Sequence, residues 1–214
     1  MQPVRARLDH LIVAAATLDQ GEDHLESMLG ARPQRGGRHE AMGTHNSLLR
    51  LGERCYLELI ALDPDAAAPP RPRWFDLDRP AMRALLAQRP RLIHWAARTD
   101  DIEAARRVCP IDPGPAHAMS RGSFRWRITI PDDGGRPGAG VLPTLIQWDG
   151  DRHPADALPD VGVRLAAVAA AHPEPDRMRQ ALAALDLGDT LKVTFDAAPR
   201  LAAMLTTRRG PATL

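Results

Sequence analysis

The chain has two cysteines in 214 residues, one lysine among 28 basic side chains, and almost no net charge, since 27 acidic groups leave only +1. Cys55 and Cys109 are too few for a disulfide framework and lack CxxC spacing, so each reads as a small hydrophobe in a reducing compartment. The balance of charge provides no broad electrostatic footprint for a polyanion, which argues against nucleic acid as a partner. No run of about eighteen apolar residues occurs, so no membrane partner is expected. The opening MQPVRARLDHLIVAAATLDQ lacks a basic region followed by an unbroken apolar stretch, because Asp9 and His10 interrupt it; no signal peptide is expected, and the expected location is cytoplasmic. Every basic residue except Lys192 is an arginine, a residue suited to carboxylate or phosphate recognition. Because the arginines scatter along the whole chain, a coding bias that also favours Ala and Pro explains them as well.

What is present is an ordinary globular composition, 44% apolar and 26% charged, and a pattern that occurs twice. LDHLIVA is followed by YLELIA, and RLIHWAA by TLIQWDG. Each pair has a strand-like run with one His (His10, His94) and a second with one acid or amide (Glu58, Gln147), at separations of 48 and 53 residues. A duplicated unit giving one imidazole and one oxygen ligand per copy can surround a single divalent metal.

The elements between these runs repeat as well. A short strand from Leu8 to Ala14 precedes a helix with Leu18, Leu25, Met28 and Leu29 on one stripe, closed by Gly30. RPQRGGRHEAMGTH reads as a short strand plus loop, and NSLLRLG and RCYLELIAL as two further strands. DPDAAAPPRPRWFDLDRP holds five prolines and reads as a connector, ordered by Trp74 and Phe75 tucking into the core. After a short helix at AMRALLAQ comes a strand at RLIHWAAR and a helix at DDIEAARRVC, with Asp100 or Asp101 as N-cap. FRWRITIPDD and VLPTLIQWD complete a second unit around the loop GGRPGAG. The tail offers a strand, a helix from PEPDRMRQALAAL and two or three strands, without a His and acid pair. The expected fold class is α+β: tandem βαβββ modules over 1–63 and 91–155, a connector over 64–90, and a βαββ-like extension over 156–214.

This duplicated order, with LDHLIVA, GTHNSLL, YLELIA and the HPA after IQWDG, resembles the glyoxalase-like branch of the vicinal oxygen chelate superfamily, strongly from Leu8 to Ala155 and more weakly in the tail. The resemblance implies that each module curls into a half barrel and that a metal sits in the cleft between them. Its ligands would come from first and last strands, here His10, Glu58, His94 and Gln147. Zn, Ni, Mn or Fe(II) suits such a set, which could leave positions open for a chelating substrate. Gln147 stands where enzymes of the superfamily usually supply Glu, which removes a charge and a candidate base. Glu58 then carries the catalytic role.

Taken singly, His10 or His94 also reads as a hydrogen-bonded core histidine, and Glu58 as a partner of Arg50 or Arg54. Glu58 between Leu57 and Leu59 nevertheless needs a partner, since an unpaired buried carboxylate is costly. His39, Thr44, His45 and Asn46, in a stretch that borders the cleft in glyoxalase-like relatives, are candidate substrate-orienting residues, as are Trp148 and His153. Solvated loop polarity and core packing are the plain alternatives for these. No GxSxG elbow, Walker lysine or Rossmann setting occurs. The leading reading is a metal-dependent lyase, isomerase or dioxygenase acting on a small oxygenated substrate. The alternatives are a metal-free small-molecule binding or sequestering protein of the same fold, and a homodimer scaffold.

Overall fold

The computed structural model describes residues 4–214. The first unit runs β1 (Ala6–Ala14), α1 (Leu18–Leu29), β2 (Gln34–His39), β3 (Thr44–Gly52) and β4 (Cys55–Leu62). A connector and α2 (Pro80–Gln88) lead to the second unit: β5 (Arg91–Thr99), α3 (Ile102–Val108), β6 (Ala116–Arg121), β7 (Phe124–Thr129) and β8 (Thr144–Trp148). The tail forms β9 (Arg164–His172), α4 (Pro175–Ala184), β10 (Leu191–Phe195), β11 (Arg200–Thr207) and β12 (Gly210–Thr213). The expected α+β class and both βαβββ orders are present. Strand β6 had no sequence signal, because AHAMSR is polar and only half-buried at a sheet edge.

The sixteen-element order makes one eight-stranded sheet, β2-β3-β4-β1-β5-β8-β7-β6, and a four-stranded sheet, β10-β9-β11-β12. The two units join through antiparallel pairing of β1 with β5, in which His10 faces Ala96 and His94 faces Ile12. That register makes the halves reciprocal about the Leu11 and Trp95 pair. The eight-stranded sheet curves until its two edge strands, β2 and β6, approach each other.

Strand alternation sorts the apolar residues into two cores. Leu11, Val13, Leu57, Leu59 and Trp95 lie on the face covered by α1, α3 and the tail. Ile12, Ala14, Ile60, Ala96, Ile128 and Ile146 lie on the opposite, concave face. Local chemistry fixes the covering helices: Thr17 caps α1 and Gly30 closes it in a left-handed turn, while Asp101 caps α3.

The connector fills the concave face with Trp74, Phe75 and Leu77. Phe75 and Asp76 both take left-handed backbone (φ 61° and 62°), unusual for side chains of this size. The turn is tied down from outside. Asp76 N–H donates to Gly134 O at 2.9 Å, and Arg136 donates to the Asp76 carboxylate at 2.7 Å.

Trp74→Ala should therefore cost about 3–5 kcal/mol in urea unfolding, whereas Phe195→Ala, at a position 72% exposed, should stay within about 0.5 kcal/mol of wild type.

Candidate active site

The concave face holds a small cavity, about 20 Å³, room for about one water molecule. Its polar wall is His10, His39, Glu58 and Arg121, and its apolar wall is largely aromatic. The chain contains only eight Phe, Tyr and Trp residues, and five of them, Tyr56, Trp74, Phe75, Trp126 and Trp148, line this one space.

The site begins with a bulge. The register of β1 against β5 shifts between Leu8 and His10, and a bulge of this kind re-aims side chains. Asp9 and His10 are consequently both buried and bonded to each other, Asp9 Oδ1 to His10 Nδ1 at 2.6 Å. Asp9 Oδ2 accepts from Trp148 Nε1 at 3.0 Å and from His153 Nε2 at 3.1 Å. His153 Nδ1 accepts from Ala155 N–H at 3.2 Å, so its proton is on Nε2 and points at Asp9. Burial alone would favour the neutral acid, but the hydrogen bonds from His10 and His153 outweigh it and hold Asp9 ionised, well below the usual carboxylate range. With an ionised acceptor on one side, His10 carries its proton on Nδ1 and turns Nε2 toward Glu58.

Glu58 Oε2 lies 3.6 Å from His10 Nε2, and Oε1 lies 3.8 Å from His39 Nε2. Asn46 Nδ2 donates to Oε1 at 2.6 Å. Burial pushes the carboxyl upward, yet His10 and the hydrogen bond from Asn46 bring it below its ordinary value. Burial pushes His39 down to about 4, so it is neutral near pH 7; its Nδ1 lies 3.2 Å from Thr44 Oγ1. His10 stacks on Tyr56 at 4.6 Å between centroids.

Glycines make room for this arrangement. A Cβ on Gly36 would lie 2.2 Å from Asn46 Oδ1, which in turn accepts from Gly37 N–H at 3.0 Å. The GG pair in RGGRH is thus what lets β2 pass over the amide that holds Glu58.

The structure brings together His10, Glu58, His39, Asn46, Thr44 and Trp148 from the sequence candidates, with His153 behind Asp9. It separates three others. His45 alternates to the opposite face of β3 from Asn46, the face on which Ser47 bonds Glu22 of α1. Gln147 faces α3: its Oε1 accepts from Ile102 N–H at 3.0 Å and its Nε2 donates to Asp100 O at 2.9 Å, satisfying the helix start. His94 is buried under Phe75, with Nε2 bonded to Thr144 Oγ1 at 2.9 Å.

The register explains the displacement of Gln147. Ile12 pairs with Glu58 in the first unit, and its reciprocal, Ala96, pairs with Thr144 in the second. Thr144, three residues before Gln147, is therefore the counterpart of Glu58. A hydroxyl stands where a fourth metal ligand would be. Among the described residues no group of three or more His, Cys, Asp or Glu side chains is arranged to hold an ion. The donor set does not fit the four-ligand metal site, since one amide points away and the second histidine is bonded to a threonine.

Sequence reading passed over Asp9, noted only as a break in an apolar run, and Tyr56 and Arg121; Trp74 was expected in the core, where it also lines the cavity. Asp9 had a signal: a carboxylate next to a histidine inside an otherwise apolar strand needs a buried partner. Arg121 had none, being one arginine among many.

Fold and site define a class: two βαβββ units closing one curved sheet over a buried cluster of ionisable groups. The model of the glyoxalase-like domain matches residues 8–185, and the chain belongs to that family. A hypothetical protein from Staphylococcus aureus shares the fold at a TM-score of 0.64 and 13% identity, over 91% of this chain and 88% of that one. More distant are the methylmalonyl-CoA epimerases of Mycobacterium tuberculosis (TM-score 0.41, 19% identity, 68% of this chain and 88% of that one) and Streptomyces coelicolor (0.42, 19%, 71% and 99%). No curated protein matches the chain.

Burial makes stability fall with acid. His94 is pushed down to about 3, mainly by burial, from an ordinary 6.5. Between those values the unfolded chain binds a proton that the folded chain refuses, so stability drops as pH falls from about 6.5 toward 3. His94→Gln keeps a donor for Thr144 without titrating. Urea midpoints measured from pH 7 to 4 should decline less steeply in this variant than in wild type.

Proposed function

We propose that this glyoxalase-like protein is an enzyme that moves a proton on a small oxygenated organic molecule, using His10 and Glu58. The observation that carries the reading is the Asp9, His10 and Glu58 series, in which a buried carboxylate fixes one imidazole nitrogen and leaves the other facing a second carboxylate across the cavity.

A separation of 3.6 Å is too long for a hydrogen bond, so His10 Nε2 and Glu58 Oε2 are each free to engage a group placed between them. Asp9 sets the tautomer and supports the charge that His10 gains when it takes a proton, the role of the carboxylate in other His-based sites. Glu58 is held ionised by its surroundings, which makes it the weaker base. Its part is to offset the imidazolium charge and to guide the proton back. This shifts the base from Glu58, the sequence candidate, to its neighbour. Tyr56, Trp126 and Trp148 exclude water, which strengthens these interactions.

A metal-dependent mechanism was the reading favoured by the repeated His and oxygen pattern. Glyoxalase-like relatives commonly use divalent ions, but Thr144 and the outward Gln147 leave the second half without an anionic ligand. No step is therefore routed through an ion. The alternative is a metal-free binding protein of the same fold, favoured by the small size of the enclosed space.

The test is deuterium incorporation, followed by NMR, into a panel of small α-oxygenated carbonyl compounds incubated with the protein in D2O. Exchange should persist in EDTA, fall about 100-fold or more in His10→Gln, and fall less in Glu58→Gln. Exchange that vanishes in EDTA and returns with added Zn, Ni, Mn or Fe(II) would establish the metal reading instead. Absence of exchange across the panel would favour the binding protein.

A further inference from the structure

The cavity opens toward the seam where the sheet's two edges meet. There β6 ends at Arg121, turns through Gly122 and Ser123, and returns as β7. Arg121 lines the inner cavity and also an outer space of about 280 Å³, whose wall it shares with His39. It therefore stands at the passage between them.

Three observations distinguish this arginine. First, among the described residues no carboxylate lies within ion-pair distance of its guanidinium: Glu58 takes His10 and His39 as its near partners and acts on Arg121 only at longer range. Arg38, on the same outer wall, is already paired with Asp63 and Asp65. Second, its stem has a prepared path. A Cβ on Gly37 would lie 2.8 Å from Arg121 Cδ and 3.0 Å from Cγ, so the missing side chain in β2 is the space the arginine occupies. Third, its charge is felt inside the site, at Glu58, His39 and Tyr56.

We propose that Arg121 receives the carboxylate of the substrate, so that the protein acts on small planar organic acids. This rests on the proton-transfer reading for the chemistry but not for the binding. A guanidinium fork matches a carboxylate in bidentate fashion. The outer space of about 280 Å³ has room for a small acid at Arg121, and the aromatic walls of the inner cavity, which holds about one water molecule, would have to part to admit its flat or unsaturated body. A monoanion fits better than a phosphate, because Asp9 and Glu58 already place two negative charges behind the entrance.

Tryptophan fluorescence titration tests this with matched pairs of probes, aryl and short alkyl carboxylates against their amides, beginning with benzoate and benzamide. Wild type should prefer the acid about tenfold or more. Arg121→Ala should abolish the preference, Arg121→Lys should retain part of it, and Gly37→Ala should weaken it by displacing the arginine stem. Circular dichroism and urea midpoints close to wild type in Arg121→Ala would show that folding is intact. Glu58→Gln should keep or increase affinity for benzoate while lowering exchange, though less than His10→Gln does. An acid preference without exchange in any variant would leave the anion site standing and remove the proton-transfer reading. Equal binding of acid and amide, an unchanged preference in Arg121→Ala, or no binding of either member across the pairs would overturn the proposal.

Discussion

The carboxylate of Asp9 is the interaction on which the site depends. It is fully buried on the strand where the two units meet, and it accepts from three directions: His10 beside it, Trp148 at the end of β8, and His153 in the turn that follows. A buried carboxylate is tolerated only when its lone pairs are occupied. Each donor is thus held in place by the need of the acid, and the acid by the donors. The result links the first strand of one unit to the last strand of the other and sets which nitrogen of His10 faces the cavity. Removing Asp9 would leave Trp148 and His153 with buried, unpaired donors, at about 1–3 kcal/mol each.

Around that link the chain concentrates a scarce resource. Aromatic residues make up only 4% of the sequence, yet most of them surround one cavity. Trp74 and Phe75 reach it from a strained turn in the connector, stacked 5.1 Å apart. Backbone held in an uncommon region persists where surrounding contacts over-determine it, and such places cluster at working sites. Here the bond from Asp76 N–H to Gly134 O and the bond from Arg136 to the Asp76 carboxylate supply the constraint. Connector, sheet and edge hairpin together close a water-poor space around charges that would be weak in water.

Much of the fold was legible in the sequence because its signals are local. The stripe of Leu18, Leu25 and Leu29 with Gly30 gave α1 to its ends, and alternation around His10 and Glu58 gave β1 and β4. The site was legible in part. His10, His39, Asn46 and Glu58 converge because they sit on strands whose inward face the pattern marks. Gln147 misled, since spacing along the chain counts residues whereas pairing counts register, and the loop before β8 shifts the second unit by three positions. Asp9 was hidden by a bulge that turns two consecutive residues inward, against the alternation on which strand reading relies. Arg121 was hidden because its meaning comes from a glycine on a distant strand.

The two halves have diverged in charge while keeping their geometry. His10 faces Glu58, and at the reciprocal place His94 faces Thr144. In the first half, the imidazole lies between two carboxylates, Asp9 at 2.6 Å and Glu58 at 3.6 Å. In the second, burial and a neutral hydroxyl hold the imidazole uncharged, pushed down to about 3. One duplicated position therefore faces the cavity between two carboxylates, and the other is a packed core hydrogen bond beneath Phe75. The ionisable groups of the cavity are thus drawn to one side of the shared axis, with His10 and Glu58 at one end and Arg121 at the seam.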